Sequence, residues 1–107
     1  MEIVRTTRFK KDVKRIGASA EDVEELELAL AQNPEAGGKI PGLGGVRKVR
    51  FGYGGTGKRG GGRAIYMILP LNDGTIALLR AYGKSEQEDM TPKEKRGLAA
   101  LVKEIMG

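Results

Sequence analysis

Apolar residues open the chain in a short strand-like run, Ile3 and Val4, and then change period. Phe9, Val13 and Ile16 fall at helical spacing behind Thr6 or Thr7, either of which offers a capping oxygen. Gly17 ends that helix. Ser19 is the next N-cap, Glu21 and Asp22 sit in the first turn where the helix dipole favours acids, and Val23, Leu26 and Leu30 form a buried stripe. Asn33 and Pro34 stop this second helix. So short a connection between two helices makes a hairpin.

From Glu35 to Gly45 glycine and proline dominate, which predicts a loop crossing back to a sheet. Val46 to Phe51 then alternates, with Val46, Lys48 and Arg50 on one face and Arg47, Val49 and Phe51 on the other. Gly52 to Gly62 is a glycine-rich loop with Lys58 and Arg59 at its tip. Arg63 to Leu69 and Thr75 to Tyr82 read as strands joined by a hairpin turn at Asn72, Asp73 and Gly74. Thr91, Pro92 and Glu94 make a capping box with proline at the first helical position, opening a last helix with core residues Leu98, Leu101, Val102 and Ile105. The pattern predicts one α+β domain over residues 1–107: an N-terminal strand, a helical hairpin, a three-stranded antiparallel sheet and a C-terminal helix. Helices are expected on one sheet face, with basic side chains left on the other.

Composition narrows the chemistry. The 107 residues include no cysteine and no histidine, which excludes a disulfide or thiolate framework and makes zinc improbable; no metal or other cofactor is expected. No apolar run approaches the roughly 18 residues of a membrane span, and the first residues lack a signal-peptide core. A cytoplasmic protein with no membrane partner is expected. The net charge of +5 is unevenly spread. Residues 36–72 hold seven bases and no acid, namely Lys39, Arg47, Lys48, Arg50, Lys58, Arg59 and Arg63, while the rest holds twelve bases and fourteen acids. Such a segment points to a polyanion, nucleic acid first, over a merely solvated face.

Gly52 to Arg59, GYGGTGKR, nearly matches a nucleotide-binding loop, but Arg59 replaces the serine or threonine that holds magnesium, and a strand follows where a helix should. The loop is better read as presenting Lys58 and Arg59 to a nucleic-acid backbone. Lys48, Arg50 and Arg63 lie on neighbouring strands, and Arg80, Tyr82 and Lys84 end the strand paired with that of Arg63. Cleavage of RNA by a 2′-hydroxyl needs that hydroxyl deprotonated, the extra charge stabilised and the leaving oxygen protonated. Without histidine, lysine can transfer protons if neighbouring cations lower its pKa. Residues alone leave two readings open: a metal-free ribonuclease, or an electrostatic RNA-binding face. Glu86, Glu88 and Asp89 are read as solvating a turn, ahead of a magnesium site. Three tyrosines give weak support to a base-stacking platform.

The run Gly57 to Lys95, GKRGGGRAIYMILPLNDGTIALLRAYGKSEQEDMTPKEK, resembles RelE/HigB toxins of type II toxin-antitoxin systems. The likeness extends over the chain, through the strand at Gly45 to Arg50, the G-x-R-x-x-Y step at Gly61 to Tyr66 and the A-Y-x-K-x-E end at Ala81 to Glu86. It implies a ribosome-dependent endoribonuclease that cuts messenger RNA in the decoding site without a metal and is silenced by an antitoxin carrying a helix-turn-helix domain. Contacts to 16S ribosomal RNA follow from the same likeness. The family's basic positions match Lys48, Arg50, Arg63 and Lys84, which become the catalytic candidates; Arg47, Lys58, Arg59, Arg80 and Tyr82 become candidates for RNA or ribosome binding. Within this set the likeness implies Arg63 on the scissile phosphate, and Lys84 or Lys48 in proton transfer or charge stabilisation. Ser85 stands where some members carry a second arginine, and the C-terminal tyrosine of others has no counterpart near Thr91. The same fold serves ParE-type gyrase poisons, so that activity and a non-catalytic ribosome binder stay open. A monomer is expected when the antitoxin is absent.

Overall fold

The computed structural model describes residues 2–54, 61–70 and 74–106. Lys58, Arg59, Asn72 and Asp73 lie outside the described residues, so neither the loop tip nor the hairpin turn enters below. The elements run β1 (Glu2–Arg5), α1 (Thr7–Ile16), α2 (Ala20–Gln32), β2 (Gly38–Lys39), β3 (Val46–Phe51), β4 (Gly62–Leu69), β5 (Thr75–Gly83) and α3 (Pro92–Met106). The class is α+β, as the pattern predicts.

The caps form where the sequence offers them. Thr6 Oγ1 accepts the Phe9 N–H at the start of α1, and its hydroxyl donates to the Leu78 carbonyl at 2.7 Å, which fixes the helix to β5. Ser19 and Asp22 cap α2 reciprocally, and Thr91 and Glu94 do the same at α3.

The sheet differs from the expected three strands. Five strands lie in the order β1-β5-β4-β3-β2, with β1 parallel to β5 and the other neighbours antiparallel. β2 comes from the loop rich in glycine and proline, and its two residues pair with Lys48 and Arg47. A two-residue strand has no side-chain period to detect. Its approach depends on Gly37, where a Cβ would stand 2.8 Å from the Lys48 carbonyl oxygen. The buried Tyr66 hydroxyl donates to the Pro34 carbonyl and accepts the Gly37 N–H, pinning the same loop.

Both faces of the sheet are packed. Phe9, Val23, Leu26 and Leu30 of the helical hairpin meet Phe51, Ala64, Tyr66, Ile76 and Leu78 on one face. On the other, Leu98, Leu101 and Val102 of α3 pack against Val46, Ile65, Met67, Leu69, Ala77 and Leu79. This corrects the expectation that helices occupy one face only. Apolar residues fill nearly every position of β4 and β5, and a strand apolar on both sides needs cover on both. Ile105, expected in the core, is 37% exposed because α3 has by then run past the sheet's apolar patch.

A β-bulge reorganises the end of β5. Ile65 pairs with Arg80 but Tyr66 pairs with Leu78, so β5 carries one extra residue. Ile76, Leu78 and Ala81 therefore face the helical hairpin, while Ala77, Leu79 and Tyr82 face the α3 side. Beside the bulge lies the buried carboxylate of Asp12, 1% exposed. It accepts hydrogen bonds from Arg80 Nε at 2.7 Å, from the Ala81 N–H at 2.9 Å and from Arg15 Nη1. Asp12→Ala leaves Arg80 without this partner and the Ala81 amide unsatisfied, so a loss of roughly 3–5 kcal/mol is expected. A urea titration checks this: the midpoint falls with the slope unchanged.

Candidate functional site

Register decides which of the basic residues meet. Along β3, β4 and β5 one cross-strand row is Lys48, Ile65 and Arg80, and the next is Arg50, Arg63 and Tyr82. Directly opposed residues share a face, about 5 Å apart, and successive rows lie about 7 Å apart. Lys48, Arg50, Arg63 and Tyr82 thus collect at one end of the face whose other end α3 covers. The bulge puts Tyr82 there. Unbroken alternation would have turned it toward the helical hairpin with Leu78.

The glycines beside this corner are required by packing. Gly62 and Gly83 pair across β4 and β5 on the helical-hairpin face. The ring of Tyr53 lies against both: a Cβ at Gly62 would meet Tyr53 Cε1 at 2.9 Å and the Tyr82 carbonyl oxygen at 2.5 Å. Tyr53 stacks at a tilt on Phe51, with ring centroids 5.6 Å apart. It is thereby a packing residue holding the strand ends together beneath the basic corner.

The individual cations differ sharply in what holds them. Arg63 donates to the Gly62 carbonyl at 2.8 Å through one nitrogen and has no carboxylate partner among the described residues; exposed Arg50 has none either. Lys48 pairs with Asp89 at 3.5 Å, and Asp89 also pairs with Lys95 at 3.5 Å. Arg80 is engaged in structure, with Asp12 on one side and Glu94 at 3.6 Å on the other. Arg47 lies on the opposite face, donating to the Gly37 carbonyl at 2.7 Å and pairing with Glu35. Lys84 is exposed just past β5, and its backbone N–H bonds to the Gly61 carbonyl. No side-chain bond joins it to the cluster among the described residues.

Tyr82 is 3% exposed, and its hydroxyl has no hydrogen bond of normal geometry among the described residues. Burial first, then the negative charges of Asp89 and Glu94, push its pKa up to about 12, against the opposing pull of Arg63. It is a neutral donor at physiological pH. The segment beyond it is anchored from α1: Arg15 holds Glu86 at 2.8 Å, and Glu86 in turn accepts the Gly83 N–H at 2.9 Å. Arg15 Nη2 also reaches the Ala81 carbonyl. This Asp12–Arg15–Glu86 chain escaped the sequence reading. Asp12 falls on the apolar stripe of α1, three residues after Phe9, and an acid in that position is the signal that reveals it.

As a unit, the corner presents two unneutralised guanidinium groups and an ammonium 3.5 Å from a carboxylate. Such a set can bind and polarise a phosphodiester. No group of metal-holding side chains occurs among the described residues. No helix of the described residues is long and apolar enough to cross a membrane.

A family model described as the RelE toxin of the RelE / RelB toxin-antitoxin system matches residues 1–107.

Two expectations follow from the charges. Arg50 and Arg63 are like charges in directly opposed positions, an arrangement that works against stability. Arg50→Thr should raise stability by roughly 0.2–1 kcal/mol in thermal unfolding. The Glu86 carboxyl lies below its ordinary value of 4.5, held there first by Arg15, with the Gly83 N–H adding to this and burial opposing it. The folded chain therefore binds fewer protons at this site than the unfolded chain does. Its contribution is complete above that ordinary value and is lost as pH falls through the lowered one. Melting curves in steps from about pH 7 to about pH 3 should show a shallower acid-side decline for Glu86→Gln than for the wild type.

Proposed function

Because this chain belongs to the RelE toxin family and is a toxin of a toxin-antitoxin system with an antitoxin partner, we propose that it acts as an endoribonuclease on messenger RNA in the ribosomal decoding site. The observation that carries this reading is the shared face of Lys48, Arg50 and Arg63, where both arginines lack a carboxylate partner among the described residues. A gyrase poison has no need of such a convergence. An RNA-cleaving site does, because the pentacoordinate phosphorane carries extra negative charge that only nearby cations can offset once water is displaced.

In this reading Arg63 binds the scissile phosphate, Arg50 adds charge beside it, and Lys48 stabilises the transition state or moves a proton. Lys84, with Lys58 and Arg59, engages the flanking RNA backbone or the 16S ribosomal RNA. The attacking group is the 2′-hydroxyl of the nucleotide before the cut. The reaction yields a 2′,3′-cyclic phosphate and a 5′-hydroxyl and calls for no metal. The ribosome contributes the RNA geometry, holding the strand bent so that the 2′-oxygen lies in line with the leaving 5′-oxygen. A cytoplasmic location and an antitoxin with a helix-turn-helix domain complete the proposal.

The test is cleavage of messenger RNA on programmed ribosomes in the presence of a chelator. Wild type is expected to cut in the decoding site, and Arg63→Ala to lose about 100-fold or more in rate. If wild type cuts nothing on ribosomes yet inhibits gyrase supercoiling, the proposal is wrong and the gyrase reading replaces it. Salt-sensitive ribosome binding without cutting would instead indicate a non-catalytic binder.

A further inference from the structure

Proton transfer in this site has no histidine to use, and the structure places a carboxylate where the sequence pattern offers only cations. Asp89 Oδ1 stands 3.5 Å from Lys48 Nζ, and Asp89 Oδ2 stands 3.5 Å from Lys95 Nζ. The position is built, although the residue belongs to a short connection between β5 and α3. The Met90 side chain is buried against the α3-side core, the Met90 N–H donates to Asp89 Oδ1 at 2.8 Å, and Gln87 Nε2 donates to the Asp89 carbonyl at 2.8 Å. The carboxylate itself stays open, with a side chain 49% exposed beside a Lys48 that is 35% exposed. An incoming RNA strand can reach both.

We propose that Asp89 is the general base of this site, accepting the 2′-hydroxyl proton of the RNA while Lys48 serves as the general acid. The inference rests on the RNA-cleaving reading above. The 2′-oxygen forms its bond to phosphorus as its proton passes to the Asp89 carboxylate. The bond from phosphorus to the 5′-oxygen of the following nucleotide breaks, and that oxygen takes a proton from the Lys48 ammonium. A cyclic phosphate and a free 5′-hydroxyl leave. The proton on Asp89 then crosses directly to the Lys48 amine, and both groups return to their starting states with no other reactant.

The surroundings fit these assignments. Asp89 faces Lys48 from β3, Lys95 from α3 and the hydroxyl of Tyr82 from β5, with Arg63 and Glu94 also acting on that hydroxyl. Partial burial pushes the Asp89 carboxyl up, but the Met90 N–H, Lys48 and Lys95 outweigh it and hold the group below its ordinary value of 3.8. Asp89 is consequently ionised, in the form a base requires, throughout the physiological range. The buried Tyr82 hydroxyl lies beside the same carboxylate, against the α3-side core.

The test compares wild type, Asp89→Asn and Asp89→Glu by single-turnover cleavage on programmed ribosomes at neutral pH, with ribosome affinity and melting temperature measured alongside. Asp89→Asn keeps the oxygen that accepts the Met90 N–H but cannot take a proton. It is expected to lose about 100-fold or more in rate, with affinity unchanged or tighter. Asp89→Glu, which keeps a carboxylate, should retain part of the rate. If Asp89→Asn cuts within threefold of wild type, or if its rate and affinity fall together, Asp89 only positions Lys48 and the assignment is overturned. Should the asparagine variant fail to fold, a glutamate variant that folds and binds with wild-type affinity yet cuts no RNA overturns it as well. Wild type that cuts no RNA overturns this assignment together with the activity it rests on, whereas cutting by both wild type and Asp89→Asn overturns the assignment alone.

Discussion

The buried carboxylate of Asp12 ties this fold to its chemistry. A lone carboxylate removed from water costs several kcal/mol, so its place against β5 exists only because donors converge on it. Two of the donors come from β5 and the third from α1 itself. The Ala81 N–H is a backbone group of β5 beyond the pairing range of β1, which ends at Leu78. Arg80 directly follows Leu79, the extra residue of the bulge, and its other side reaches Glu94 at the start of α3. Arg15 carries the connection onward to Glu86 and so to the segment after β5. One charge in α1 therefore stabilises the bulge, and the bulge determines that Tyr82 faces Arg63 instead of the helical hairpin.

Against that tightly satisfied network stands a corner that works against stability. Two arginines oppose each other directly, and a tyrosine hydroxyl is buried without a hydrogen bond among the described residues. Packing gives no reason for either. Strands elsewhere in the sheet place alanine, isoleucine or methionine at comparable positions, and those residues would serve the core better. A polyanion bound at this corner would relieve the repulsion between the two arginines. The ion pairs between Asp89 and its two lysines are partly exposed and long, so they are worth little to stability in salt. Their interest lies in the proton they can exchange.

Much of the architecture is written locally in the chain. Thr6, Ser19, Asp22, Thr91 and Glu94 cap helices through bonds that span three residues, and the stripe of Val23, Leu26 and Leu30 is a helical period. Lys48 and Arg50 share a face because strand alternation holds without a break through β3. What the chain conceals is non-local. β2 arises from backbone pairing alone, α3 finds the second face only once β4 and β5 have assembled, and the bulge at Arg80 shifts the parity of every later residue in β5. The same limits govern the site. Arg47 and Arg80 are as basic as Arg63, but Glu35, Asp12 and Glu94 engage them, and those partners lie far off in sequence. Asp89 looks like a polar turn residue until the fold sets it beside Lys48.

Cleavage by an internal hydroxyl, in a site of cations and one carboxylate, is the chemistry proposed for this chain. The chemical ends of the RNA fragments report on it most directly, determined by mass spectrometry after cleavage on ribosomes with and without a chelator. A 2′,3′-cyclic phosphate with a 5′-hydroxyl, formed equally well under chelation, is the expected result. Fragments ending in a 3′-hydroxyl and a 5′-phosphate, or products that vanish with the chelator, would mean that water attacks with the help of a metal and would contradict the account.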